Sequence, residues 1–295
     1  MTTELIAGVA RSAMLVNLCI NSYSGKKLDR KTQAEVVLAK NSGSSRAASV
    51  YKNLFSDCPE LDAITKFQSR ARIRHYQLTL PWQDNGPRLL PTAALLDYKA
   101  EMNRYQLEFD RLVDAFLIKF DTLVAAAAFK LGTLFDRAEY PERDDVAKRF
   151  RFELAFTPLP TAGDFRLDVE SAVQRELAEA YEKRLTEQVA AAQQDAWTRM
   201  HSALTQLKDR LMLNEDGTRR IFHDTTVSNA QSLCELLTQL NVTKDPVLEK
   251  ARQQLEDALT GVDPKELRKE EGARLVTLQK VDSILDAFDW GSDDS

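Results

Sequence analysis

Apolar and polar positions along the chain change period several times, and each change marks an element. In "AMLVNLCINSY", Leu15, Asn17, Cys19 and Asn21 share one parity and Val16, Leu18 and Ile20 the other, which predicts a short strand with one well-buried face. Residues 28–40 read as a helix, because Gln33, Ala34, Glu35, Leu38 and Ala39 favour one. "NSGSS" at 41–45 breaks the chain and is expected to cap a second helix, "RAASVYKNLF". Pro59 opens a third, with Leu61, Ile64, Phe67 and Ala71 at helical spacing. In "HYQLTLPW", Tyr76, Leu78, Leu80 and Trp82 alternate and predict a strand, which the turn residues "QDNGPRLLP" close.

Beyond Pro91 the period lengthens to that of a long helix. Tyr98, Met102, Tyr105, Phe109, Leu112, Phe116, Phe120 and Leu123 form one seam that runs toward Leu131, where Gly132 stops it. "RFELAFTPLP" alternates again and predicts a returning strand near 150–157. A second long helix is expected from about Asp168 to Leu213, with a seam from Val173 through Leu185, Val189 and Trp197 to Leu211. Shorter helices are expected over about 226–241, 246–260 and 264–288, the last two starting at Pro246 and Pro264. The fold class that emerges is mainly α with a small β-sheet assembled from three distant strands. The long helices are expected to form an antiparallel or coiled-coil-like arm, within one chain or between subunits of a homo-oligomer.

Charge divides the chain further. The net charge is −5, yet residues 1–92 carry 13 Lys/Arg against seven Asp/Glu. That asymmetry suggests a basic working surface on an acidic body. Three regions follow: 1–92 as a basic α+β region, 93–281 as a long-helix body, and 282–295 as an acidic tail. No run approaches the ~20 apolar residues of a membrane span. Three separated cysteines without a CxxC fit reduced thiols, and the N-terminus lacks a basic leader. The expected setting is cytoplasmic, with no membrane contact.

Catalytic signals are poor. In "INSYSGKKLDRKT" the position that must be glycine in a phosphate-binding P-loop is Ile20, and Lys27 stands where Ser or Thr is required. His75, His201 and His223 lie in no metal-ligand spacing, and no GxSxG occurs. The expectation is a protein without enzymatic activity, with no metal and no cofactor.

Binding of single strands needs backbone-tracking positive charge and aromatic faces for bases to stack on. The first 92 residues hold both: Tyr23, Lys26, Lys27, Arg30 and Lys31; Lys40 and Arg46 around the Ser/Gly loop; Tyr51 and Lys52; then Arg70, Arg72, Arg74 and Tyr76. Lys26, Lys27, Arg70, Arg72 and Arg74 stand foremost. The competing reading of the same residues is a solvated surface, with Tyr76 in the core or the lysines facing an acidic neighbour. The acidic end offers Phe288, Asp289, Trp290, Asp293 and Asp294 as a partner-binding tail, or else as a frayed, solubilising terminus.

The apolar strand entering "SYSGKKLDRKT", the "NSGSSRAASVYKNLF" segment, the long helices and the acidic tip together resemble single-stranded-DNA-binding proteins of N4-related bacterial viruses, a family that includes an RNA polymerase cofactor. The resemblance implies a fold distinct from the OB barrel and preference for single strands over duplex. It also implies recruitment of a phage RNA polymerase at melted promoters, or a role in replication, in the host cell cytoplasm. The rival expectation is a helical structural or adaptor protein that oligomerises, binds a protein partner and touches no nucleic acid.

Overall fold

A computed structural model of the chain describes residues 8–44, 46–159 and 171–290. In chain order the elements are β1 (Ala13–Asn21), β2 (Lys26–Leu28), α1 (Arg30–Ala39), β3 (Tyr51–Asn53), α2 (Pro59–Leu78), β4 (Arg88–Pro91) and α3 (Leu95–Leu131). There follow α4 (Arg143–Ala147), β5 (Arg151–Pro158), α5 (Ser171–Leu211), α6 (Asp224–Leu240), α7 (Pro246–Leu259), α8 (Pro264–Lys269) and α9 (Glu271–Ala287). One sheet has the order β4-β1-β5 and the other is the β2-β3 pair, so the fold is mainly α with small antiparallel sheets and no barrel.

The chain divides into two units. One comprises residues 18–75 and 99–154. Its core is aromatic: Phe109 and Phe116 of α3 meet Phe152 and Phe150 at 5.8 Å between ring centres, and Phe67 of α2 lies 5.9 Å from Phe109. Phe55 is held among Phe116, Phe120 and Tyr140. The seam that the sequence marks along α3 is therefore covered by α2, β5 and the 54–55 turn. Gly132, at φ +53°, ends the helix in a conformation that costs glycine little.

The other unit comprises residues 1–17, 76–98 and 155–295. Leu185, Val189, Ala192, Met200, Leu204 and Leu211 of α5 line a core shared with α6, α7 and α9. Asp245 caps α7 ahead of Pro246, and Asp263 caps α8 ahead of Pro264. Arg274, buried on α9, donates to the carbonyls of Arg210, Leu211 and Met212, so a cation closes the negative end of α5. In this unit β1 pairs antiparallel with β4, Ala13 opposite Pro91 and Val16 opposite Arg88.

Several sequence expectations change. The segment at 76–82 is not a strand: α2 continues to Leu78, because Ile64, Phe67, Ala71 and His75 keep its buried face in helical period. Only Leu80 keeps strand pairing, exchanging both backbone hydrogen bonds with Leu89 at 2.9 Å, and the third strand of the sheet is β4. "RAASVYKNLF" is not a helix either. Val50 and Tyr51 favour extended backbone, and the segment pairs with β2 instead. Among the described residues there is no helix for the 41–45 segment to cap. The expected helix over 264–288 is interrupted at Glu270, whose extended backbone (φ −106°, ψ 118°) separates α8 from α9. The expected start of α5 near Asp168 lies outside the described residues.

Candidate nucleic-acid interface

The β2-β3 ribbon begins with a glycine. Gly25 sits at φ +61°, and its carbonyl accepts from the Leu54 backbone N–H at 2.7 Å. At the other end the Asp29 N–H donates to the Val50 carbonyl at 2.9 Å. Between them Lys26 faces Asn53, Lys27 faces Lys52 and Leu28 faces Tyr51. Side chains alternate across a ribbon, so the two faces differ in chemistry. Lys27 and Lys52 both turn to Glu139. Lys52 is ion-paired to it and donates to the Leu134 carbonyl at 2.7 Å, and Lys27 Nζ is 3.9 Å from it. On the opposite face Lys26, Leu28, Tyr51 and Asn53 are all exposed, with Tyr51 63% accessible.

Helix α1 follows at once. Asp29 caps it by accepting from the Lys31 and Thr32 amides and the Thr32 hydroxyl, and these Thr32 bonds hold its carboxyl below the usual carboxylate range. The first turn then holds Arg30 and Lys31 and no acidic residue. Cations at the positive end of a helix dipole are unfavourable, by about 0.3–1 kcal/mol each at an exposed site. Helix stability therefore does not account for them. Arg30, Lys31, Ala34, Glu35, Leu38 and Ala39 form the exposed side of α1, while Thr32, Gln33, Val36 and Val37 are half-buried. Lys40 and Arg46 are exposed beyond it. Among the described residues no carboxylate pairs with Lys26, Arg30, Lys31, Lys40 or Arg46.

The remaining candidates are placed differently. Tyr23 is 6% exposed, edge-on to Phe55, with the Arg149 guanidinium 5.4 Å from its ring centre. Burial pushes its hydroxyl up, against the opposing effect of Arg149, and its faces are closed to any base. Arg70 is ion-paired with Glu108 and lies over Phe67 and Tyr105. Arg72 donates to the Ile20 carbonyl at 2.7 Å. Arg74 makes two bonds to Glu101, at 2.6 and 3.0 Å, which raise its pKa. The triplet thus ties α2 to α3 and to β1. Tyr76 is exposed but lies in the other unit, with the Arg88 guanidinium 4.8 Å above its ring. Leu28 and Asn53 share the Tyr51 face and carry no signal in the sequence, since three residues are too few to show a period.

The two units differ in charge. Residues 18–75 and 99–154 contain 21 Lys/Arg and 16 Asp/Glu, whereas the other unit contains 19 and 29. At the acidic end Phe288 and Trp290 are not frayed. Trp290 stacks on His201 at 5.3 Å, meets Trp197 at 5.4 Å and donates its indole N–H to the Leu285 carbonyl. Asp289 is exposed between them, and Asp293 and Asp294 lie outside the described residues.

No family model, curated protein or solved structure matches the chain. Among the described residues no group of three or more His, Cys, Asp and Glu is placed to hold a metal ion, and no helix is long and apolar enough to cross a membrane.

Proposed function

We propose that this protein binds single-stranded DNA, and that the contact surface lies on the β2-β3 ribbon and α1. The observation that carries the reading is a contrast within one unit. Lys52, Arg70 and Arg74 are paired with carboxylates, whereas Lys26, Arg30, Lys31, Lys40 and Arg46 have none among the described residues. Unpaired cations are available to phosphate oxygens, and each phosphate neutralised releases counterions. Tyr51 supplies an open aromatic face, and an unpaired base can stack on it at about 1–3 kcal/mol per base. A paired duplex buries its base faces, so the same tyrosine gives preference for single strands. The resemblance to the N4-related family supports DNA as the ligand and recruitment of a phage RNA polymerase as its purpose. The acidic unit, with its ordered Phe288 and Trp290, would then meet the protein partner.

The test is fluorescence anisotropy with a labelled single strand and its duplex across a salt series. The single strand should bind more tightly, with affinity falling steeply as salt rises. In a Lys26→Ala/Arg30→Ala/Lys31→Ala variant the slope of log K against log salt should flatten by about 0.7 for each phosphate no longer neutralised. No binding at low salt, or a variant that binds like the wild type, refutes the reading and leaves the helical adaptor.

A further inference from the structure

One face of α3 stays open along the helix. Leu107 is 59% exposed, Ile118 82% and Phe129 91%. They recur every eleven residues, and Leu96 in the helix's first turn has the same spacing. Eleven residues return an α-helix to within about 20° of its starting direction, so these side chains form a single stripe. The core seam of the same helix uses other positions, Met102, Phe109, Phe116 and Phe120, all fully buried. The stripe is therefore additional to what the fold consumes.

Between the apolar positions the stripe carries exposed Ala100, Arg111, Asp114 and Ala125. Their order is self-complementary when reversed. An antiparallel copy that sets Leu107 against Ile118 also sets Ala100 against Ala125 and Arg111 against Asp114. Neither Arg111 nor Asp114 has an ion-pair partner among the described residues, and the two-fold relation would give each copy's arginine the other's aspartate. A parallel register offers no such match.

We infer that this face of α3 is an isologous interface, and that its occupant is the same face of a second copy of the chain, running antiparallel about an axis between Leu112 and Val113. Two-fold symmetry requires a patch that complements itself, and the stripe does so in apolar content and charge. The eleven-residue period keeps the two helix axes nearly aligned, with a slight right-handed sense. Between the symmetry-matched Ala100 and Ala125 the stripe is about 38 Å long and about 10 Å wide, which is the size of a weak, transient interface. The dimer is accordingly one that dissociates on dilution. This interface is independent of nucleic-acid binding.

Sedimentation velocity over a wide concentration range tests it on the full chain. The wild type should shift from monomer to dimer mass as concentration rises. Ile118→Glu, at a largely solvated position, should stay monomeric while its far-UV circular dichroism and unfolding midpoint remain those of the wild type. Arg111→Asp should also be monomeric, because it places two aspartates together across the axis. Arg111→Asp combined with Asp114→Arg exchanges the charges and should restore the dimer. A wild type that is monomeric at every concentration overturns the inference. So does a dimer that Ile118→Glu leaves intact, or a charge exchange that fails to restore the association abolished in Arg111→Asp.

Discussion

Tyr51 stands directly opposite Leu28 across the antiparallel β2-β3 pair, and both side chains are exposed. An aromatic ring placed on an apolar neighbour at a ribbon surface is oriented without being covered. Removing the ring should therefore affect ligand and not fold. Tyr51→Ala is expected to weaken single-strand affinity by roughly 1–3 kcal/mol, about five- to more than a hundredfold, with the urea midpoint unchanged. Tyr51→Phe should bind like the wild type, because stacking needs the ring and not the hydroxyl. Equal affinity in the alanine variant would remove Tyr51 from the interface.

Lys52, the next residue, should behave in the opposite way. Its ammonium lies almost out of solvent, bonded to the Leu134 carbonyl and paired with Glu139. Lys52→Met leaves the Glu139 carboxylate and the carbonyl short of a donor, and should lower stability by roughly 1–3 kcal/mol. Denaturant unfolding checks this. The salt slope of DNA binding should be that of the wild type, in contrast to the Lys26, Arg30 and Lys31 variants.

Gly25 fixes the ribbon's position. A Cβ there would lie 3.0 Å from Leu61 Cδ2 and 3.3 Å from Phe55 Cδ2, on a backbone at φ +61°. Gly25→Ala combines left-handed strain of order 1–3 kcal/mol with crowding of the core beneath. The expected result is lower thermal stability, together with weaker DNA binding as the Leu54–Gly25 bond loosens. An alanine variant with an unchanged melting temperature would contradict this placement.

Asp245 provides a pH prediction. Burial opposes its ionisation, but bonds from the Val247 and Leu248 amides, the Gln193 amide and the Trp197 indole outweigh burial and hold its pKa below the ordinary value. A depressed folded pKa contributes stability above the unfolded value of about 3.9, and that contribution is lost as pH falls through the folded pKa. Urea midpoints measured from pH 6 down to pH 2 should fall for the wild type. Asp245→Asn should start lower at pH 6 and lose less on acidification. Parallel curves for the two proteins would show that Asp245 does not titrate with unfolding.

Local rules in the sequence determined most of the helices. Period, proline starts and the Gly132 stop located α2, α3, α6 and α7, since caps and i,i+4 spacing act within a few residues. Charge counting marked residues 1–92 as basic. What tertiary structure alone decided is which of its charges remain open. Arg70, Arg74 and Lys52 are spent on Glu108, Glu101 and Glu139, residues 27 to 87 positions away, and no local pattern announces such pairs. The same holds for Tyr23 and Tyr51: one ring is sealed beneath Phe55 and the other is open on a three-residue ribbon whose pairing depends on a distant strand. At Tyr76 two periods were both written in the sequence, and the buried face of α2 selected the helix. Sequence specified the elements because their signals are short-range, while exposure, the property on which binding depends, belongs to contacts that only the folded chain brings together.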